Sequence, residues 1–279
     1  MMKINPKNLD LNLLNSRCKY TEQGIPKIIH QIWINENNLI LPEEWKKSPI
    51  EWEKTHSDYI YILWEKESSI DFVKKYYPKY LNLYNNMQYT TQRCDLIRYM
   101  FMHKIGGFYC DLDNYPLENL EKYLDKNVDV YFTEMKVSYH ITINTNLMIS
   151  KKNINVFLEI IDHIEEKSKE NCYTKLMCVS KTQGYKYIEE AILKKKYKIF
   201  VLPYQKFNPF SLEEDDFNVK KPGAVMTAVK GGSWHSWDMK ILLFLIKNIV
   251  LIILLIIIVL IIILFFYLDK KRKAKLKIL

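Results

Sequence analysis

Apolar positions along this chain fall into two regimes. Through the first 238 residues they come as short blocks, broken by polar residues, Gly and Pro. From Ile249 to Leu268 they do not break at all: IVLIILLIIIVLIIILFFYL. A helix of that length, at about 1.5 Å per residue, spans the roughly 30 Å hydrocarbon core of a bilayer. A core helix of a soluble protein is seldom apolar on every face over such a length. Lys247 and Asn248 close the near end. Phe265, Phe266 and Tyr267 stand where an interfacial belt would fall, followed at once by Lys270, Lys271, Arg272, Lys273, Lys275 and Lys277. The run predicts one transmembrane helix.

The short blocks predict alternating strands and helices. Residues 27–34 (KIIHQIWI) and 58–64 (DYIYILW) have the near-continuous apolar character of buried strands. Residues 42–55 predict a short helix, and 68–76 and 80–87 two more, parted by Pro78. Residues 90–104 carry a helical stripe at Leu96, Ile97, Met100 and Phe101, stopped by Gly106-Gly107. Strands are expected at 108–111, 128–133 and 141–150, helices at 153–168 and 184–195, and extended segments at 198–203 and 224–229. Strands alternating with helices make an α/β sheet. The expected organisation is an extension at 1–23, one α/β domain at 24–238, a linker at 239–248, the membrane helix at 249–268 and a basic tail at 269–279.

Charge changes this picture little. The formal net charge of +9 is concentrated in part in the tail. No basic helix interleaved with stacking aromatics suggests nucleic acid as a partner. The five cysteines are odd in number and form no CxxC pair, so neither a disulfide framework nor a zinc site is indicated and the thiols are expected to be reduced. The first twenty residues hold no apolar signal-peptide core. That favours a tail anchor with the domain on the cytosolic face. The basic cluster after the span argues the other way, although a tail of this length can cross despite its charge.

Candidate chemistry is concentrated between Gln92 and Asp113, QRCDLIRYMFMHKIGGFYCDLD. Asp111 and Asp113 sit at i and i+2 at the end of an apolar strand. They can share one hard cation if the chain turns there; otherwise the two side chains point to opposite faces. Such a cation can stabilise a diphosphate leaving group. Asp-x-Asp alone is a common polar turn. Asp95 and Arg98, at i and i+3, fall on one helix face.

The whole segment resembles the glycosyltransferases whose sugar-binding region contains a DXD motif, a family that includes initiation-specific α-1,6-mannosyltransferases and inositol phosphoceramide mannosyltransferases. The resemblance lies in Asp95-Leu96-Ile97-Arg98-Tyr99 followed by Gly106-Gly107-Phe108-Tyr109-Cys110-Asp111-Leu112-Asp113. It extends to Ile25-Pro26-Lys27-Ile28-Ile29-His30-Gln31-Ile32-Trp33, to Asn146-Leu147-Met148-Ile149-Ser150 and to Gly232-Ser233-Trp234. It implies a GT-A-type nucleotide-sugar-binding fold, Mn²⁺ or Mg²⁺, a nucleotide-sugar donor and retention at the anomeric carbon. Carried onto this chain, Trp33 stacks on the donor base, Asp95 and Arg98 hold sugar and diphosphate, Asp111 meets ribose or sugar, Asp113 binds the metal, and Ser233 and Trp234 close over the diphosphate.

Departures are Cys94 where Ser or Ala is usual, Thr182-Gln183-Gly184 as at best a remnant of Thr-Gly-Pro, and no His shortly before the closing Gly-Ser-Trp. His30, in a strand, reads as a core histidine or one that supports the site from behind, not as a catalytic base. The resemblance favours GDP-mannose as donor and a lipid or glycan acceptor at a membrane. A glucosyl- or galactosyltransferase using a UDP-sugar, or an inactive membrane-tethered binding module, are the alternatives. A hydrolase or phosphotransferase would need a nucleophile or a phosphate loop, and none is visible.

Overall fold

The computed structural model describes residues 1–276 except 8, 36–39, 138–139, 211–220 and 232–235; for 269–276 only the backbone course is described. The chain divides into two units, Met1–Trp234 and His235–Leu279.

Among the described residues the first unit has nine strands: β1 Met2–Ile4, β2 Ile28–Trp33, β3 Ile60–Glu65, β4 Gly107–Cys110, β5 Asn114–Pro116, β6 Val130–Val137, β7 His140–Ser150, β8 Ile199–Leu202 and β9 Met226–Ala228. Seven form one sheet in the order β1-β3-β2-β4-β7-β6-β8, and β5 and β9 form a separate antiparallel pair. In the large sheet only β7 runs against the rest. This is the mixed α/β architecture expected. Residues 2–4 pair with β3, and Leu14, on the helix Leu11–Arg17, is buried in the core.

The β2 sequence is apolar on both sides because both of its faces are covered. Ile28 and Ile32 enter a core with Trp64, Phe72, Phe101, Phe157 and Ile160, against the helices Lys66–Tyr76, Thr90–Lys104 and Val156–Lys167. Ile29 enters the opposite core with Tyr61, Phe108, Cys110 and Trp52, the last on the helix Lys47–Thr55. The alternation continues in β4, where Tyr109 faces the first core and Phe108 and Cys110 the second. The polar residues of β2 are satisfied internally. His30 Nδ1 accepts from Trp64 Nε1 at 3.1 Å, and its Nε2 lies 2.9 Å from Gly106 O. That is the core role expected of it, and burial depresses its pKa to about 4.

The helix expected at 42–55 begins only at Lys47. Pro49 falls in its first turn, the part of a helix that tolerates a missing N–H. The helix Thr90–Lys104 ends as expected, with Gly106 at φ 71° and its N–H on Phe101 O at 3.2 Å. Gly107, at φ 100°, lies against β2: a Cβ there would stand 2.5 Å from Ile28 O. The helix Lys175–Thr182, capped by the Thr174 side chain, was not foreseen.

The cysteine expectation is corrected in one respect. Cys172 and Cys178 form a disulfide, while Cys18, Cys94 and Cys110 are free. An odd count does not exclude a bridge once three thiols stand apart from it.

The second unit contains the helices Trp237–Lys247 and Ile249–Leu276. Its run Ile249–Leu268 has a mean hydropathy of 4.1 and is long and apolar enough to cross a membrane.

Candidate active site

The site forms where β4 ends. After Cys110 the strand gives way to a turn in which Asn114 N donates to Asp111 O at 3.0 Å. Strand alternation therefore stops at the first carboxylate, which meets the condition for Asp111 and Asp113 to act together. Asp111 N donates to Asn146 O at 2.8 Å, so the neighbouring strand β7 fixes where the turn begins.

The helix Thr90–Lys104 delivers Asp95 and Arg98 to the same place. Both are buried, at 4% and 8% exposure. That is far from the surface ion pair their spacing alone would suggest. Arg98 Nη2 donates to Asp95 Oδ1, and its Nη1 donates to Thr145 Oγ1 at 3.1 Å and lies 3.8 Å from Asp111 Oδ1. The guanidinium also stands over the Tyr109 ring, 5.1 Å from its centroid, and Tyr109 OH donates to Asp111 Oδ1 at 2.5 Å. One buried cation thus links the helix carboxylate to the strand-end carboxylate.

Asp113 is held differently. Asn114 Nδ2 donates to its Oδ1 at 2.6 Å, Asn146 Nδ2 donates to Asn114 Oδ1 at 3.3 Å, and Thr133 Oγ1 donates to Asn146 Oδ1 at 2.7 Å. This polar chain crosses β6, β7 and the turn. The sequence singled out Asn146 only through its motif and gave no sign of Asn114, Thr133 or Thr145. The available signal was the presence of polar residues inside otherwise apolar strands.

Electrostatics fit a cation and a polar ligand. Burial, then the neighbouring Asp111 charge, raises the Asp113 carboxyl to about 7. Burial raises Asp111 too, opposed by Arg98. Burial raises Asp95 to about 6, again against Arg98. A divalent ion would relieve the repulsion between the strand-end pair. Among the described residues no group of three or more His, Cys, Asp or Glu could hold a metal by itself. Two hard carboxylates suit Mg²⁺ or Mn²⁺ that takes its other ligands from substrate phosphates and water. Asp95 Oδ2 is buried with no hydrogen-bond partner, an acceptor in need of a donor such as a sugar hydroxyl.

Trp33 closes β2 at the same edge. His30 is registered with Tyr109, so Trp33, three residues on, lies at the carboxyl end beside the turn, where ligands of α/β sheets bind. Its ring makes a T-shaped contact with that of Trp45, the centroids 5.7 Å apart. Ser233 and Trp234 lie outside the described residues.

Residues 42–130 match the family described as "Glycosyltransferase sugar-binding region containing DXD motif". That match takes in both the helix Thr90–Lys104 and the Asp111–Asp113 turn. The chain is 30% identical over 228 residues to mannosyl phosphorylinositol ceramide synthase CSH1 of Saccharomyces cerevisiae, covering 82% of this chain and 57% of that one. It is also 30% identical over 235 residues to inositol phosphoceramide mannosyltransferase 2 of Schizosaccharomyces pombe, covering 82% and 63%. The chain therefore spans about three fifths of the length of these relatives. Among solved structures it is similar to the PaToxG glycosyltransferase, with a TM-score of 0.43 and 18% identity over 61% of this chain and 70% of that one.

Proposed function

We propose that this chain is a glycosyltransferase that moves a hexose, mannose, from a nucleotide-sugar to a lipid acceptor at a membrane, with retention of configuration and dependence on a divalent metal. The observation that carries the reading is the buried Arg98, which joins Asp95, with its unsatisfied Oδ2, to the Asp111–Asp113 turn. In this reading Asp113 and Asp111 hold the metal, which when bound supplies positive charge that stabilises the departing diphosphate. Asp95 accepts from sugar hydroxyls and orients the ring. Arg98 favours the ionised forms of Asp95 and Asp111, against the burial that raises both, and adds positive charge near the phosphates. Trp33 stacks on the base, with Ser233 and Trp234 assigned to the closing segment.

The relatives' names support mannose, and hence GDP-mannose as donor and an inositol phosphoceramide type of lipid as acceptor. The apolar run Ile249–Leu268 supports a membrane-held enzyme. The Cys172–Cys178 bond favours an oxidising compartment for residues 1–234. The basic residues 270–277 favour the cytosol for the tail. Together they support a lumenal catalytic domain in place of the cytosolic one read from the sequence. Modification of a glycosylation sequon added after Leu279 would overturn that orientation.

The decisive experiment is a donor screen on the full chain in lipid nanodiscs. GDP-mannose, UDP-glucose, UDP-galactose and UDP-N-acetylglucosamine are compared with and without EDTA. GDP-mannose should turn over fastest and EDTA should stop it. Faster use of a UDP-sugar would replace the donor assignment, and EDTA-resistant turnover would remove the metal.

A further inference from the structure

Trp45 stands between two parts of the candidate site. Its ring makes a T-shaped contact with Trp33, and its Nε1 donates to Lys230 O at 3.1 Å. The segment it holds leads directly back to Asp113. β9 pairs with β5, Val229 N donates to Asp113 O at 2.8 Å, and a Cβ on Gly231 would stand 1.8 Å from Asp113 Oδ2. No side chain fits at position 231 unless the carboxylate moves. Trp45 is half-buried and packs in neither half of the core, so core packing does not explain an indole here.

We propose that Trp45 is a positioning residue that ties the aromatic at Trp33 to the backbone segment seated on Asp113. The inference rests on the donor-site reading above. A base stacked on Trp33 bears on Trp45. Trp45 fixes Lys230, and Lys230 sets how closely Gly231 lies against the metal-binding carboxylate. Base binding and carboxylate geometry are thereby set together.

The test uses the full chain in detergent, with calorimetric titration of Mn²⁺ alone and of GDP with Mn²⁺, alongside melting curves. Trp45→Phe keeps an aromatic edge but loses the donor. It should weaken GDP–Mn²⁺ binding roughly three- to tenfold with melting unchanged. Gly231→Ala should weaken Mn²⁺ alone by roughly tenfold or more. Because both act on one segment, the double variant should lose less than the product of the single losses. Wild-type binding by Trp45→Phe, fully multiplicative losses, or a loss that tracks a lower melting temperature would each overturn the proposal. If the parent chain bound neither GDP nor UDP with Mn²⁺, the donor-site reading would fail first and take this inference with it.

Discussion

Asp113→Asn separates the chemistry of the site from its architecture. The swap is nearly isosteric, and an amide oxygen can still accept from Asn114 Nδ2, the 2.6 Å bond that holds the side chain. The charge itself does not stabilise the fold, because burial and Asp111 raise the carboxyl to about 7. Removing it relieves that repulsion. Stability should change by no more than about 0.5 kcal/mol, or rise slightly. Catalysis should respond very differently. An amide does not supply the anionic oxygen that Mg²⁺ or Mn²⁺ favours. If charge stabilisation worth about 4 kcal/mol is lost, the rate falls about a thousandfold, at about 1.36 kcal/mol per decade.

The assay is GDP-mannose turnover by the full chain with Mn²⁺, repeated with EDTA and accompanied by melting. Near-normal, EDTA-sensitive activity in Asp113→Asn would put the metal elsewhere and refute the reasoning. A melting temperature far below the parent's would show that the charge is structural, against the electrostatics just described.

Asp95→Asn should cut donor affinity while leaving Mn²⁺ binding nearly intact, since Asp95 Oδ2 awaits a ligand donor; calorimetry with each ligand in turn checks this, and equal losses would count against it. Arg98→Ala leaves a buried carboxylate unpaired and should cost about 3–5 kcal/mol, read from urea unfolding. Gly107→Ala combines φ 100° with a Cβ 2.5 Å from Ile28 O and should cost more than about 2 kcal/mol, whereas Gly24→Ala, at φ 81° in open space, should cost only about 1 kcal/mol. Acid should weaken the fold through His30, whose folded pKa of about 4 lies below the unfolded value of about 6.5. Its contribution is full above that unfolded value and is lost down to the folded one, at up to about 1.4 kcal/mol per pH unit. His30→Gln should flatten that slope in unfolding curves between the two values, and an unchanged slope would contradict the assignment.

Much of the frame was legible in the sequence because its elements are long or sharply ended. Helix Thr90–Lys104 and β2 and β4 carry strong apolar patterns, and Gly106-Gly107 marks the helix stop. Three-residue strands carry no usable period, so β1 was missed. β5 was missed for a second reason. Its sequence Asn-Tyr-Pro argues against a central strand, and Pro116 is tolerated because β5 has a single partner, β9. Asp95, Arg98, Asp111 and Asp113, which the structure brings together, were singled out through a motif. The cysteine bridge was missed because parity and the absence of a CxxC pair were weighed, not the chance that two of five thiols lie close along the chain.

The residues that steady Asp113 could not be read from the sequence, because strand register rather than local pattern brings them together. β4 pairs antiparallel with β7, Cys110 opposite Leu147, and this sets Asn146 beside Asp111 N. β6 pairs with the other edge of β7 and slips between Tyr131 and Thr133, where Thr133 reaches the Asn146 amide oxygen. Three polar side chains, each at most 7% exposed, are satisfied only in this register. Left unpaired they would carry a heavy desolvation cost. A one-residue slip of β7 would turn Asn146 to the opposite face, strand Thr133 and release Asn114 from Asp113. Strand β7, antiparallel to both its neighbours, therefore does more than extend the sheet. It couples the correct pairing of the fold to the orientation of the carboxylate on which the proposed chemistry depends.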